Sequence, residues 1–123
     1  LESAHVSAAD VDYINAHGTA TVFNDATEGK AITALFKGVP MSSTKSMMGH
    51  SLGAAGAIEA VICLLALQHQ FLPANINFTA PDDDVDLNIV ANEARPAAVS
   101  VALSNSFGFG GTNASLIMRK LQA

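Results

Sequence analysis

The sequence predicts an α/β domain in which helices cover a layered mixed sheet, and three observations carry that reading. Strand-like and helix-like segments follow one another in the order β-α-β-α-β-β, the pattern of a layered α/β domain. One helical segment, residues 54–67, has Glu59 as its only charge, so nearly every face of it is apolar and it should be buried all round. Three loops rich in glycine and small residues recur along the chain, and such loops let backbone and imidazole groups approach a ligand closely.

Residues 11–15 alternate apolar and polar side chains and read as a strand. It leads into the first loop, Asn15-Ala16-His17-Gly18-Thr19-Ala20-Thr21. Asp25 or Thr27 can cap a helix over 26–36, whose apolar stripe is Ala31, Ile32, Leu35 and Phe36 and which Gly38 ends. Residues 39–44 form a second short strand, with Pro40 tolerable near its start. The second loop carries Lys45 and His50, and Ser51 opens the apolar helix, which runs to about His69. Gly53, Ala54, Ala55, Gly56 and Ala57 keep its first turns thin, so another element can pack closely there. An irregular connection spans 70–86, residues 88–90 suit a short strand, and 99–104 with 114–118 read as a hairpin. Its turn is the third loop, Asn105-Ser106-Phe107-Gly108-Phe109-Gly110-Gly111-Thr112-Asn113.

At 123 residues the chain has the size of one domain. It is 50% hydrophobic and 14% charged, a shortage of charge that suits a chain burying extra surface against something else. The net charge is −5, with acid concentrated at Asp82, Asp83, Asp84 and Asp86, and six scattered Lys and Arg make no basic stripe. Nucleic acid is therefore not an expected partner. The single cysteine, Cys63, rules out an internal disulfide and suits a reducing compartment. The start has neither a basic region nor an apolar run, and the apolar stretch at 54–67 is too short to span a bilayer, so a cytoplasmic protein without membrane contact is expected. The missing initiator Met suits a chain that continues upstream.

Several motifs invite readings that fail on their own terms. Gly49-His50-Ser51-Leu52-Gly53 fits the G-x-S-x-G elbow of serine hydrolases. The only later histidine, His69, precedes every downstream aspartate, however, and Ser51 reads better as a helix cap. Gly108-Phe109-Gly110-Gly111-Thr112-Asn113 has Asn113 where a dinucleotide loop needs glycine. The four histidines lack metal-ligand spacing, so neither metal nor cofactor is expected. Cys63 lies mid-helix among Ile62, Leu64 and Leu65 and reads as inert core filler. His17 and His50 stand apart, because each sits among small residues and Lys45 lies five positions before the second. Two neutral imidazole N–H groups can hold an oxygen that gains negative charge. Lys45 and Glu28 are candidates to set the local charge. No residue reads as an activated nucleophile, so the chain reads as half of an active site.

Taken together, residues 11–21, 45–56 and 104–113 resemble the C-terminal half of a β-ketoacyl-acyl carrier protein synthase of the thiolase superfamily. The resemblance runs over 11–119, and the last loop has Phe107 and Phe109 where thiolases proper carry a second cysteine. It implies half of a thiolase-like fold, with residues 1–123 forming a partial C-terminal synthase domain whose nucleophilic cysteine lies in the missing N-terminal half. It also implies a decarboxylative Claisen condensation of malonyl-acyl carrier protein with an acyl thioester, in fatty acid or polyketide synthesis.

By that resemblance His17 and His50 hold the enolate oxygen, and Lys45 and Glu28 form a buried ionic pair that orders the site. Phe109 supplies an oxyanion-hole N–H and a gating ring, Gly108, Gly110 and Gly111 give the loop its mobility, and Thr19 and Thr21 bind the phosphopantetheine arm. The implied partners are acyl carrier protein, the missing half and a second copy in a dimer. One departure is Val22-Phe23-Asn24-Asp25, where the family usually has glycine in place of Asn24 and asparagine tolerates similar backbone angles. Two alternatives stay open: a non-catalytic partner resembling chain-length factors, and a serine hydrolase using Ser51. Alone, the chain is expected to be inactive in condensation.

Overall fold

The computed structural model describes residues 1–81 and 86–121, so Asp82, Asp83 and Asp84 of the acidic run lie outside the described residues. Its centre is a four-stranded sheet in the order β2-β1-β5-β6, built from β1 (Tyr13–Asn15), β2 (Met41–Ser42), β5 (Val101–Phe107) and β6 (Asn113–Arg119). β1 runs parallel to β2 and β5, whereas β5 and β6 form an antiparallel hairpin, so the sheet is mixed as expected. A small antiparallel pair, β3 (Phe71–Leu72) with β4 (Arg95–Pro96), lies apart.

Strand alternation divides the core in two. Ile14, Val101 and Leu103 point to one face and pack with Ile32 and Phe36 of α1 (Val22–Leu35) and its C-terminal end. Tyr13 and Ala102 point to the other face and meet Cys63, Ala66 and Leu67 of α3 (Ala55–His69). The two helices therefore cover opposite faces of one sheet, and the loops that follow β1, β2 and β5 gather near one end of it.

Several boundaries differ from the sequence reading. α1 begins a turn early, because Thr21 caps it by accepting the Asn24 N–H at 3.3 Å; neither Asp25 nor Thr27 does so. β2 has two residues rather than six, since Lys45–Met48 coil into a short helix, α2. Ser51 stands at the start of a 3₁₀ turn, Leu52–Ala54, with no side-chain capping bond. Residues 88–90 reduce to a bridge between Ile89 and Met41.

The helix expected to be buried all round is buried on one side only. Ala55, Glu59, Cys63, Ala66 and Leu67 face the sheet, while Ile58, Val61, Leu64 and Leu65 are exposed. Helical structure from Leu52 to His69 covers 18 residues, longer than the apolar stretch suggested and near the lower limit for crossing a bilayer. Its inner face is nonetheless packed on the sheet, and Glu59 is paired, as in a core helix.

Candidate functional site

His17 lies two residues beyond β1, and its backbone is clamped from beneath. The Glu28 carboxylate, brought by α1, accepts the His17 N–H at 2.9 Å through one oxygen and the Gly18 N–H at 2.9 Å through the other. Asn105 of β5 and Asn24 of α1 each donate a side-chain N–H to it at 3.2 Å. Four donors thus surround a carboxylate that is 4% exposed. Such saturation is what a buried carboxylate requires. Gly18 has φ +42°, and its carbonyl accepts the Ser43 hydroxyl at 2.7 Å, so the turn is fixed on both sides.

The expected pair of Lys45 with Glu28 does not form. Lys45 opens α2, and its ammonium is paired instead with Glu59 of α3, both side chains being buried. The reason is layering and saturation: Glu28 rides on the helix of the opposite face and already serves four donors, whereas Glu59 would be a lone buried charge without Lys45. The sequence signalled only that Glu59, a solitary carboxylate in an apolar helix, needs a buried cation, not that Lys45 supplies it.

The two histidines meet. Their ring centroids are 5.5 Å apart with planes at 85°, and Phe107 packs its ring on His17 at 5.6 Å. His17 is 7% exposed. Burial and then the Lys45 charge hold its pKa below the ordinary histidine value, against an opposing pull from Glu28 that exceeds the slight further lowering by His50. His50 is exposed, and its Nδ1 accepts the Leu52 N–H at 3.1 Å. The neutral ring therefore carries its proton on Nε2, where it can donate outward. Leu52 has φ +51°, a strained conformation for leucine that aims this N–H at the ring.

A cavity of about 620 Å³ opens beside His50, lined among others by Gly18, Thr19, Glu28, Ser43, Lys45 and His50; His17 stands behind this lining, between Ala16 and Gly18, which both belong to it. Its further wall is the segment 75–81, which the sequence offered only as an irregular connection. Ser43 N–H donates to Asn75 at 3.0 Å, and Ile76 N–H donates to Ser46 Oγ at 3.0 Å, fixing that wall to the second loop.

The remaining candidates are placed differently. Thr21 is used as the helix cap, and its hydroxyl lies 3.1 Å from that of Thr19. Phe109 is 92% exposed and does not line the cavity; Phe107, two residues earlier, is the ring that touches His17. Gly108 is packed so that a Cβ would lie 2.7 Å from the Thr112 carbonyl, while Gly110 and Gly111 have φ of +74° and +84°. Ser51 follows α2 rather than a strand, and Cys63 is buried with its pKa pushed up to about 12 by burial and the nearby Glu59. Glu59, Phe107, Asn105 and Asn24 were not foreseen as site residues.

Residues 1–79 match the model of the family described as beta-ketoacyl synthase, C-terminal domain. The chain is 47% identical to a 3-oxoacyl-[acyl-carrier-protein] synthase 2 of Coxiella burnetii, over 98% of this chain and 30% of the relative. It superposes on the ishigamide ketosynthase/chain length factor with a TM-score of 0.96 and 41% identity, covering 99% of this chain and 31% of that one. A ketosynthase solved with a type II PKS acyl-carrier protein and bound to the hexaketide is similar at a TM-score of 0.94 and 38% identity, with 99% and 31% covered. The chain spans about 30% of the length of the curated relatives it matches.

Proposed function

Because the chain belongs to the beta-ketoacyl synthase C-terminal domain family, we propose that it supplies the enolate-holding half of a condensing site. The reaction joins malonyl-acyl carrier protein to an acyl thioester in fatty acid or polyketide synthesis. The observation that carries this reading is the edge-to-face pair of His17, which disfavours its proton, and His50, which lines the cavity and has its tautomer set by a backbone N–H. Neutral imidazoles offer N–H donors without offering a competing acid, which suits an oxygen that becomes negative only during reaction.

Loss of carbon dioxide leaves its electron pair on the malonyl α-carbon, with the charge shared onto the thioester oxygen between the two imidazoles. That carbon attacks the acyl thioester carbonyl, the new carbon–carbon bond forms, and the cysteine thiolate leaves. We assign that cysteine to the rest of the synthase, since Cys63 is buried and its thiol resists ionisation. In this reading residues 1–123 are the C-terminal part of the synthase domain. The Phe109 N–H serves the second oxyanion, and its exposed ring gates the acyl pocket on the Gly108, Gly110 and Gly111 turn. Thr19, at the cavity edge, and Thr21 take the phosphopantetheine arm of the carrier. The remaining part of the synthase covers the apolar face of α3, and the assembled molecule pairs with a second copy in the cytoplasm.

The assay is condensation by the full-length protein with radiolabelled malonyl-acyl carrier protein. His17→Ala and His50→Ala should each lower turnover about a hundredfold or more while still allowing acylation of the cysteine. Unchanged turnover in either variant overturns the assignment. A chain-length-factor-like role, suggested by the likeness to a ketosynthase/chain length factor assembly, would show instead as no acylation at all.

A further inference from the structure

We propose that Asn24 is a positioning residue, holding Glu28 against the His17 loop and tying that loop to the threonines at the cavity edge. Asn24 is the third residue of α1. Its backbone N–H donates to Thr21 Oγ1 at 3.3 Å, and the Thr21 hydroxyl is 3.1 Å from that of Thr19. Its side-chain amide donates to Glu28 Oε2 at 3.2 Å, one helical turn along, and to Asp25 Oδ1 at 3.3 Å. Glu28 Oε2 is also the oxygen that takes the Gly18 N–H, while Oε1 takes the His17 N–H. One residue therefore links Thr19 and Thr21 to the backbone that places the His17 ring.

The need for that donor is physical. Two successive backbone N–H groups, one on each carboxylate oxygen, fix His17 only if the carboxylate plane does not turn. Asn105 holds Oε1 from β5, and Asn24 holds Oε2 from α1. Without Asn24, Oε2 keeps the Gly18 N–H alone, and a buried acceptor is left short of donors. The side chain is what matters here. Asn24 lies inside α1 and is not among the residues with positive φ, so the backbone freedom it shares with glycine is not used.

This inference rests on the proposed role of His17 for its consequence, but its test does not. Amide hydrogen exchange is followed by NMR in the full-length protein, for Asn24→Ala, Asn24→Asp and Asn24→Gln. In Asn24→Ala the His17 and Gly18 amides should exchange roughly five times faster, with the middle of α1 and β5 unchanged. Asn24→Asp removes the donor and faces Glu28 with a second carboxylate, so its effect should be larger still. Asn24→Gln keeps a donor and should restore most of the protection. Equal exchange at His17 and Gly18 in all forms overturns the proposal, and so does a loss spread evenly along α1. If the selective change appears in a protein that performs no condensation, Asn24 keeps its role and the functional reading falls instead.

Discussion

His17 combines two demands in one residue: its backbone is tied to a carboxylate, while its ring must stay uncharged. Its pKa is lowered mainly by burial and then by the Lys45 charge, so its NMR titration midpoint should fall below the ordinary value of about 6.5. The unfolded chain takes up that proton first. His17 thus contributes stability above the ordinary value, and loses it as pH falls through that value toward its own lowered midpoint. For Lys45 and Glu59 the test is truncation. Glu59→Ala strands a buried ammonium and should cost about 3–5 kcal/mol, whereas Lys45→Met with Glu59→Leu should recover most of that loss in urea titrations. That His17 and His50 sit in loops a ligand can approach was legible, because small neighbours and glycine mark such loops. Which acid pairs with Lys45 was not, because local sequence says nothing about which helix lies on which face of the sheet.

Among the elements, the turn from β1 into α1 holds the site most tightly. Gly18→Ala would bring a Cβ to 2.5 Å from Ser43 Cβ at a φ of +42°, so a loss of about 2 kcal/mol or more is expected, read by thermal or urea unfolding. Thr21→Ala removes the cap of α1 and should cost about 1 kcal/mol by the same measurement. The long elements were readable from their length and apolar content: α1, α3 and the β5–β6 hairpin lie within a few residues of expectation, α1 beginning a turn early. The two-residue strands β3 and β4 were not, since two residues carry no period. The wall at 75–81 escaped notice because bonds from Ser43 and to Ser46, some thirty residues away, hold it in place rather than any local pattern.

For the molecule as a whole, the apolar outer face of α3 dominates behaviour in solution. Val61 and Leu64 are 54% and 53% exposed, and Ile58 and Leu65 extend the patch. The isolated 123-residue chain should self-associate, and Val61→Glu with Leu64→Lys should shift it toward monomer in sedimentation velocity. The shortage of charge in the composition signalled that hidden surface, but only the fold shows which helix carries it. The sheet order has a further consequence, for biosynthesis. β1 is flanked by β2 on one side and by β5 on the other, and the Asp12–Val101 contact at their edge closes 89 residues of chain. Contacts so distant form slowly and only once both ends are available. The ribosome must therefore release β5 before the clamp from Asn105 through Glu28 to His17 can close, and a nascent chain stalled short of β5 carries both histidines but no site.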